Sequence, residues 1–153
     1  ITLNVSQNQI NVVGSVFSFT SKLIEGNYPD YEKVFPVGDE SKLIVDKNEF
    51  NTALSRASVL SNEKYRGIRL SLNKDLLKIE ANNPEKESAE EEIKVDYSGP
   101  ELEIGFNISY LQESLTTIKD LSAEIVFFGQ ESSCIVKNKE NEDLIHVIMP
   151  MRL

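Results

Sequence analysis

The sequence predicts an α+β fold: two helices packed on two antiparallel sheets, built from one strand–helix–three-strand unit used twice. Three observations carry this. Short runs of alternating apolar and polar residues, each closed by turn-forming residues, read as antiparallel strands. Two longer segments have apolar residues at helical spacing behind a capping residue. The whole arrangement recurs 61 residues further along the chain, and an internal repeat constrains architecture more than any single element does.

The elements follow in order. Ile1, Leu3 and Val5 alternate with polar residues, residues 6–9 form a turn, and Ile10 and Val12 complete a hairpin; residues 16–23 add a strand through Phe17 and Phe19. In "EGNYPDYEKVFP" (25–36), two prolines and a glycine rule out regular structure. Tyr28, Tyr31, Val34 and Phe35 are too apolar there for a loose tether. The segment reads either as a connector joining two domains or as an ordinary buried loop.

The repeat begins after Pro36. Leu43 and Val45 end a strand, Asp46 stands at a helix N-cap with Glu49 three residues on, and Phe50, Ala53, Leu54 and Ala57 mark one helical face. A helix over residues 46–60 is predicted. Strands follow through Ile68, Leu70 and Leu72, then Leu77, Ile79 and Ala81, then Ile93, Val95 and Tyr97. In the second copy Ile104 and Phe106 end a strand, Asn107 is the cap, and Leu111, Leu115 and Ile118 mark the face of a helix over 107–119. Strands 123–128, 133–137 and 144–149 close the unit.

Composition excludes several functions. The chain has 153 residues, 40% hydrophobic and 27% charged, enough for one domain with a real core and a piece of a second. No apolar run approaches a membrane span. The single cysteine, Cys134, excludes an internal disulfide and fits a reducing compartment. A net charge of −9 argues against gripping nucleic acid by bulk charge. With no initiator Met and no signal peptide, a chain that begins mid-pattern at Ile1 reads as a fragment or a processed product. Enzymatic motifs are absent: no GxGxxG, P-loop or CxxC occurs, and the acidic run "EKESAEEE" (85–92) lacks the Asp/Asn and Gly pattern of a calcium loop. No catalytic residue, metal site or cofactor is expected. The competing reading is a small hydrolase or metal-dependent enzyme using His146, the only histidine, with the 85–92 cluster.

Four stretches carry a resemblance: "FTSKLIEGNYPDYEKVFP", "SNEKYRGIRL", "ANNPEKESAEEEIKVDYSG" with "EIGFN", and the apolar tail "VIMPMRL". Together they resemble the C-terminal part of the bacterial DNA polymerase III beta subunit, the sliding clamp. The resemblance implies the DNA-clamp fold, with residues 1–36 as the end of the middle clamp domain plus the interdomain connector and 37–153 as the complete third domain. It implies a cytoplasmic, non-catalytic processivity factor that is a homodimeric ring around duplex DNA when intact, and a monomer as this fragment. Its partners would be the polymerase III alpha subunit, the clamp-loader delta subunit, other polymerases and mismatch-repair proteins, docking by short linear motifs.

Residue by residue, the resemblance implies a partner-peptide groove of Pro29, Lys33, Val34, Ser133, Val147, Met149, Pro150, Met151, Arg152 and Leu153. Methionine suits such a groove because it is flexible and polarizable. It implies a ring interface of Val59 and Leu60 flanked by Glu85, Glu87, Glu90 and Glu91. The helices would face DNA with Lys47, Arg56, Lys64 and Lys119. Glu32 stands where family members often carry a basic residue after the connector tyrosine. Between 85 and 103 eight acidic residues meet only Lys86 and Lys94, a local charge of −6, while the helices are close to neutral. A closed ring holds DNA topologically and needs no strong phosphate contact.

Overall fold

The structure, a computed structural model, describes residues 1–28, 30–139 and 144–152. The chain divides into two compact units, Ile1–Tyr31 and Glu32–Leu153.

The first unit is a meander of β1 (Thr2–Val5), β2 (Gln9–Val13) and β3 (Ser18–Lys22), with β2 central. The pairings Leu3↔Val12, Val5↔Ile10 and Val12↔Phe19 put the apolar side chains on one face, because directly opposed residues share a face. Asn11 organises the other, donating to Thr20 Oγ1 at 2.8 Å and Ser18 Oγ at 3.2 Å. The connector contains one turn of 3-10 helix, Tyr31–Val34, which the sequence reading excluded. Neither proline falls inside those four residues, and a single i→i+3 turn is short enough to fit between them.

The second unit holds β4 (Ser41–Asp46), α1 (Lys47–Ser58), β5 (Gly67–Asn73), β6 (Leu76–Asn82), β7 (Ser88–Lys94), β8 (Asp96–Tyr97), β9 (Leu102–Asn107), α2 (Ile108–Thr117), β10 (Ser122–Phe127), β11 (Cys134–Asn138) and β12 (Ile145–Ile148). The 61-residue offset relates β4 to β9 and the first residue of α1 to that of α2. The two copies are not separate lobes, however. The sheets run β12-β11-β10-β4-β8 and β7-β6-β5-β9, so the strand before each helix pairs with the three strands of the other copy. The helix starts interlock the same way: the Lys47 amide donates to the Leu121 carbonyl at 2.9 Å, and the equivalent Ile108 amide to Arg66 at 2.8 Å. Exchanged strands give one continuous core, and neither half can bury its apolar face alone.

Both caps form as predicted. The Asp46 carboxylate accepts from the Glu49 amide at 2.8 Å, and the Asn107 side chain from the Ser109 amide at 2.8 Å. Both helices end earlier than predicted, α1 at Ser58 and α2 at Thr117. After Ser58 the amides of Val59, Leu60 and Ser61 reach carbonyls only three residues back, which tightens the chain out of α-helical geometry. The predicted strand through Ile93, Val95 and Tyr97 also breaks. Asp75, in a left-handed turn (φ 60°), takes the Val95 amide and donates to the Tyr97 carbonyl, so Tyr97 crosses to the other sheet and pairs with Leu43. There it is fully buried, its hydroxyl donating to the Pro100 carbonyl at 2.6 Å.

The core lies between helices and sheets: Phe50, Leu54, Leu43, Leu70, Ile79, Phe106, Leu111 and Phe127 are essentially inaccessible. Each such side chain contributes roughly 1.5–3 kcal/mol. Gln112 on α2 joins the helices, donating to Ser55 Oγ at 3.0 Å and to Asn51 Oδ1 at 3.3 Å.

Candidate partner groove and ring surface

The tail is held by backbone and displayed by side chain. In β12, Val147 pairs with Ile135 and Ile148 with Cys134, so alternation turns Ile148 into the core and leaves Val147 half-buried. Cys134 beneath is fully buried, and desolvation pushes its thiol up to about 12. Met149 is 63% exposed, and the buried Ser133 hydroxyl donates to its sulfur at 2.7 Å. Two residues on, the Met151 amide donates to the Gly105 carbonyl at 2.8 Å, bridging the tail to the other sheet. Arg152 is exposed, 3.8 Å from Glu131. The result is an anchored backbone carrying Val147, Met149 and Met151 outward. Lys33 and Val34 stand in the 3-10 turn, with Val34 partly exposed. Pro29 and Leu153 lie outside the described residues.

Clefts border this tail. One of about 430 Å³ has Met151 and Arg152 on one side and Tyr65, Arg69 and Asn82 on the other. A second, of about 500 Å³, runs between α2 and β12 with Tyr110, Thr117, His146 and Val147 in its walls. Tyr110 and Tyr65 escaped the sequence reading. Tyr110 is 58% exposed in the first turn of α2, off the Leu111–Leu115 face, and a solvent-facing tyrosine on a helix was a legible sign of a contact surface.

The second surface gathers at the end of α1. Val59 is 78% exposed and Leu60 partly buried, as their helical phase requires. Val59 shares a cavity of about 380 Å³ with Lys64, Asn83 and Glu85, so helix end and acidic loop form one face. The other acids are already engaged. Glu87 accepts from the Asn83 side chain at 2.8 Å, and Glu90 lies 2.9 Å from Lys78. Glu91 receives two parallel bonds from Arg56, Nε to Oε1 and Nη2 to Oε2, both 2.7 Å. That guanidinium holds the Glu91 carboxyl below its ordinary range, and the carboxylate raises Arg56 in turn.

Of the four cations read as DNA-facing, two are therefore occupied within the chain. Arg56 is clasped by Glu91, and the half-buried Lys47 donates to the Ile118 carbonyl at 2.8 Å, at the C-terminus of α2, where a cation is favoured. Lys64 and Lys119 are exposed, with the Lys64 ammonium 5.2 Å from the Tyr65 ring centre. The residues of the competing enzymatic reading are not brought together. His146 Nε2 and Thr117 Oγ1 share a hydrogen bond of 2.6 Å beside the five-stranded sheet, whereas the acidic strand β7 edges the four-stranded one. Among the described residues no group of three His, Cys, Asp or Glu could hold a metal ion.

Comparison with known proteins decides the family. The profile of the DNA polymerase III beta subunit, C-terminal domain, matches residues 32–152, which starts where the second compact unit starts. The chain belongs to the DNA polymerase III beta subunit family. It is 48% identical to the beta sliding clamp of Pseudomonas aeruginosa over 149 residues, covering 97% of this chain and 41% of that protein. With the beta sliding clamp of Escherichia coli K12 it shares 40% identity over 153 residues, all of this chain and 42% of that one. The chain thus spans about two fifths of the relatives it matches. The crystal structure of the Pseudomonas aeruginosa DNA polymerase III subunit beta superposes with a TM-score of 0.93 at 47% identity, over 99% of this chain and 42% of that one. A sliding clamp from Bartonella birtlesii, solved bound to griselimycin, gives 0.91 at 32% identity, over 99% and 41%. The fold of this beta-subunit chain is the clamp fold, two helices on antiparallel sheets.

Proposed function

We propose that this chain supplies the third domain of a bacterial sliding clamp, with Ile1–Tyr31 contributing strands of the middle domain. The intact protein is a non-catalytic, cytoplasmic ring that encircles duplex DNA and tethers the polymerase III alpha subunit, the clamp-loader delta subunit, other polymerases and mismatch-repair proteins. Family membership supports the ring, and one observation carries the docking role: a backbone-anchored tail that turns Met149 to solvent beside a buried serine. Apolar side chains displayed on an anchored backbone are what a short peptide motif needs.

The helix faces agree with topological retention on DNA. With Lys47 and Arg56 occupied inside the chain, two of the four cations read as DNA-facing are withheld from phosphate, and weak contact lets a ring slide. The test is a titration of a fluorescent peptide carrying the clamp-binding segment of a polymerase alpha subunit into the intact clamp, with and without residues 149–153. Each buried Leu or Met anchor is worth roughly 1.5–3 kcal/mol. The truncation should therefore abolish measurable binding while the ring persists, and unchanged peptide affinity would overturn the docking role.

A further inference from the structure

Each sheet of the second unit has an edge strand that breaks its own apolar pattern, and the two breaks occupy equivalent places. Across the four-stranded sheet the pairings Ile104↔Leu70, Leu70↔Ile79 and Ile79↔Glu91 define one row of side chains on one face. Ile104, Leu70 and Ile79 are buried, so Glu91 on edge strand β7 points to the core side while Glu90 and Glu92 point out. Across the other sheet the corresponding row is Leu43↔Ile125, Ile125↔Val136 and Val136↔His146. It likewise ends on a polar side chain of an edge strand, His146 on β12.

Each inward polar group is met by a side chain from the neighbouring helix: Glu91 by Arg56 of α1, His146 by Thr117 of α2. Arg56 and Thr117 are 61 residues apart, the offset of the repeat. A carboxylate on the core face of an edge strand discourages stray strand pairing, and it needs a partner to be tolerated at the margin of an apolar layer. Arg56 is one helical turn before Val59, and Thr117 immediately precedes Ile118, whose carbonyl accepts from the Lys47 ammonium.

We propose that Arg56 with Glu91, and Thr117 with His146, are paired clips that lock each edge strand to its helix, the first positioning the ring surface and the second positioning the tail. Arg56 then acts through Glu91 and Val59 and does not grip phosphate. This rests on the ring and docking reading above, and it gives four residues a division of labour. The lowered carboxyl of Glu91 agrees with a fork held closed at neutral pH.

The experiment uses the intact clamp and two readouts, dimer dissociation and peptide affinity. Arg56→Gln and Glu91→Gln should each weaken the dimer by about 3- to 10-fold, the scale of a partly exposed ion pair, and leave peptide affinity unchanged. Combining them should add nothing, and the exchanged pair Arg56→Glu with Glu91→Arg should restore most of the loss. Thr117→Val and His146→Phe should do the reverse, weakening the peptide and sparing the dimer. A general loss of stability would move both readouts together and would overturn the proposal. So would Arg56→Gln that spares the dimer yet lowers retention on DNA, or an exchanged pair that fails to rescue. The underlying reading is checked separately: if Val59→Ala with Leu60→Ala leaves the dimer intact, the ring surface itself is misplaced. On the 153-residue chain, Arg56→Gln should speed amide exchange in β7 about tenfold while β6 stays protected, and unchanged exchange in β7 would refute the clip without reference to any ring.

Discussion

Val59→Ala separates a contact surface from a core more cleanly than any other single change. The substitution removes two methyl groups, and full burial of that much apolar material is worth about 1.6 kcal/mol at roughly 0.8 kcal/mol per group. In this chain Val59 is 78% exposed, so only about a fifth of that value is already realised, roughly 0.3–0.4 kcal/mol. Urea unfolding of the 153-residue chain should show a shift within that range, close to the limit of measurement. In the intact clamp the same side chain would be buried at two symmetric interfaces, and the remaining four fifths lost at each add to about 2.5 kcal/mol, a dimer weakened by a little under two orders of magnitude. Sedimentation of the intact clamp across nanomolar concentrations reads that change, while the unaltered 153-residue chain should sediment as a single 17.3 kDa monomer. Unfolding destabilised by more than about 1 kcal/mol would mean that Val59 finishes the core of α1. An unchanged dimer would mean that the interface lies elsewhere.

Two further predictions concern the fold beneath these surfaces. Asn107 caps α2 through the Ser109 amide and donates to the Tyr65 carbonyl at 3.2 Å, so Asn107→Ala should cost about 1–2 kcal/mol in urea unfolding. Asp46→Ala, which loses the cap alone, should cost less, and the opposite order would refute the cross-link. Cys134 should resist thiol reagents at pH 8 until the chain unfolds, since its thiol ionises only near 12. The unfolded thiol ionises near 8.5, so this group's contribution to stability is intact below that pH and declines as pH rises toward 12. Labelling of the native chain at the rate of a free thiol would contradict the burial.

How much was legible in the sequence follows from the range of the forces involved. Periodicity, caps and turn residues act within a few positions, so Asp46 and Asn107, the apolar faces from Phe50 to Ala57 and from Leu111 to Ile118, and the 61-residue repeat could all be read directly. The same locality explains why the candidate groove could be read: an apolar tail around Met149 and Met151 stands out in an acidic chain. The sequence did not show which copy's strands each β4 and β9 would join, because both sheets offer equally apolar faces and only close packing of one shared core selects the exchange. Nor did it show that the strand through Val95 breaks, since the Asp75 turn that captures its backbone lies twenty residues earlier. Charges were the least legible of all. Arg56 and Lys47 carry the same sign as Lys64 and Lys119, yet pairing strands and crossing helices put Glu91 against one and the Ile118 carbonyl against the other. Whether a surface cation is available to a partner depends on what the fold brings within 3 Å of it, and contacts between residues 35 and 71 positions apart are set by the tertiary structure alone.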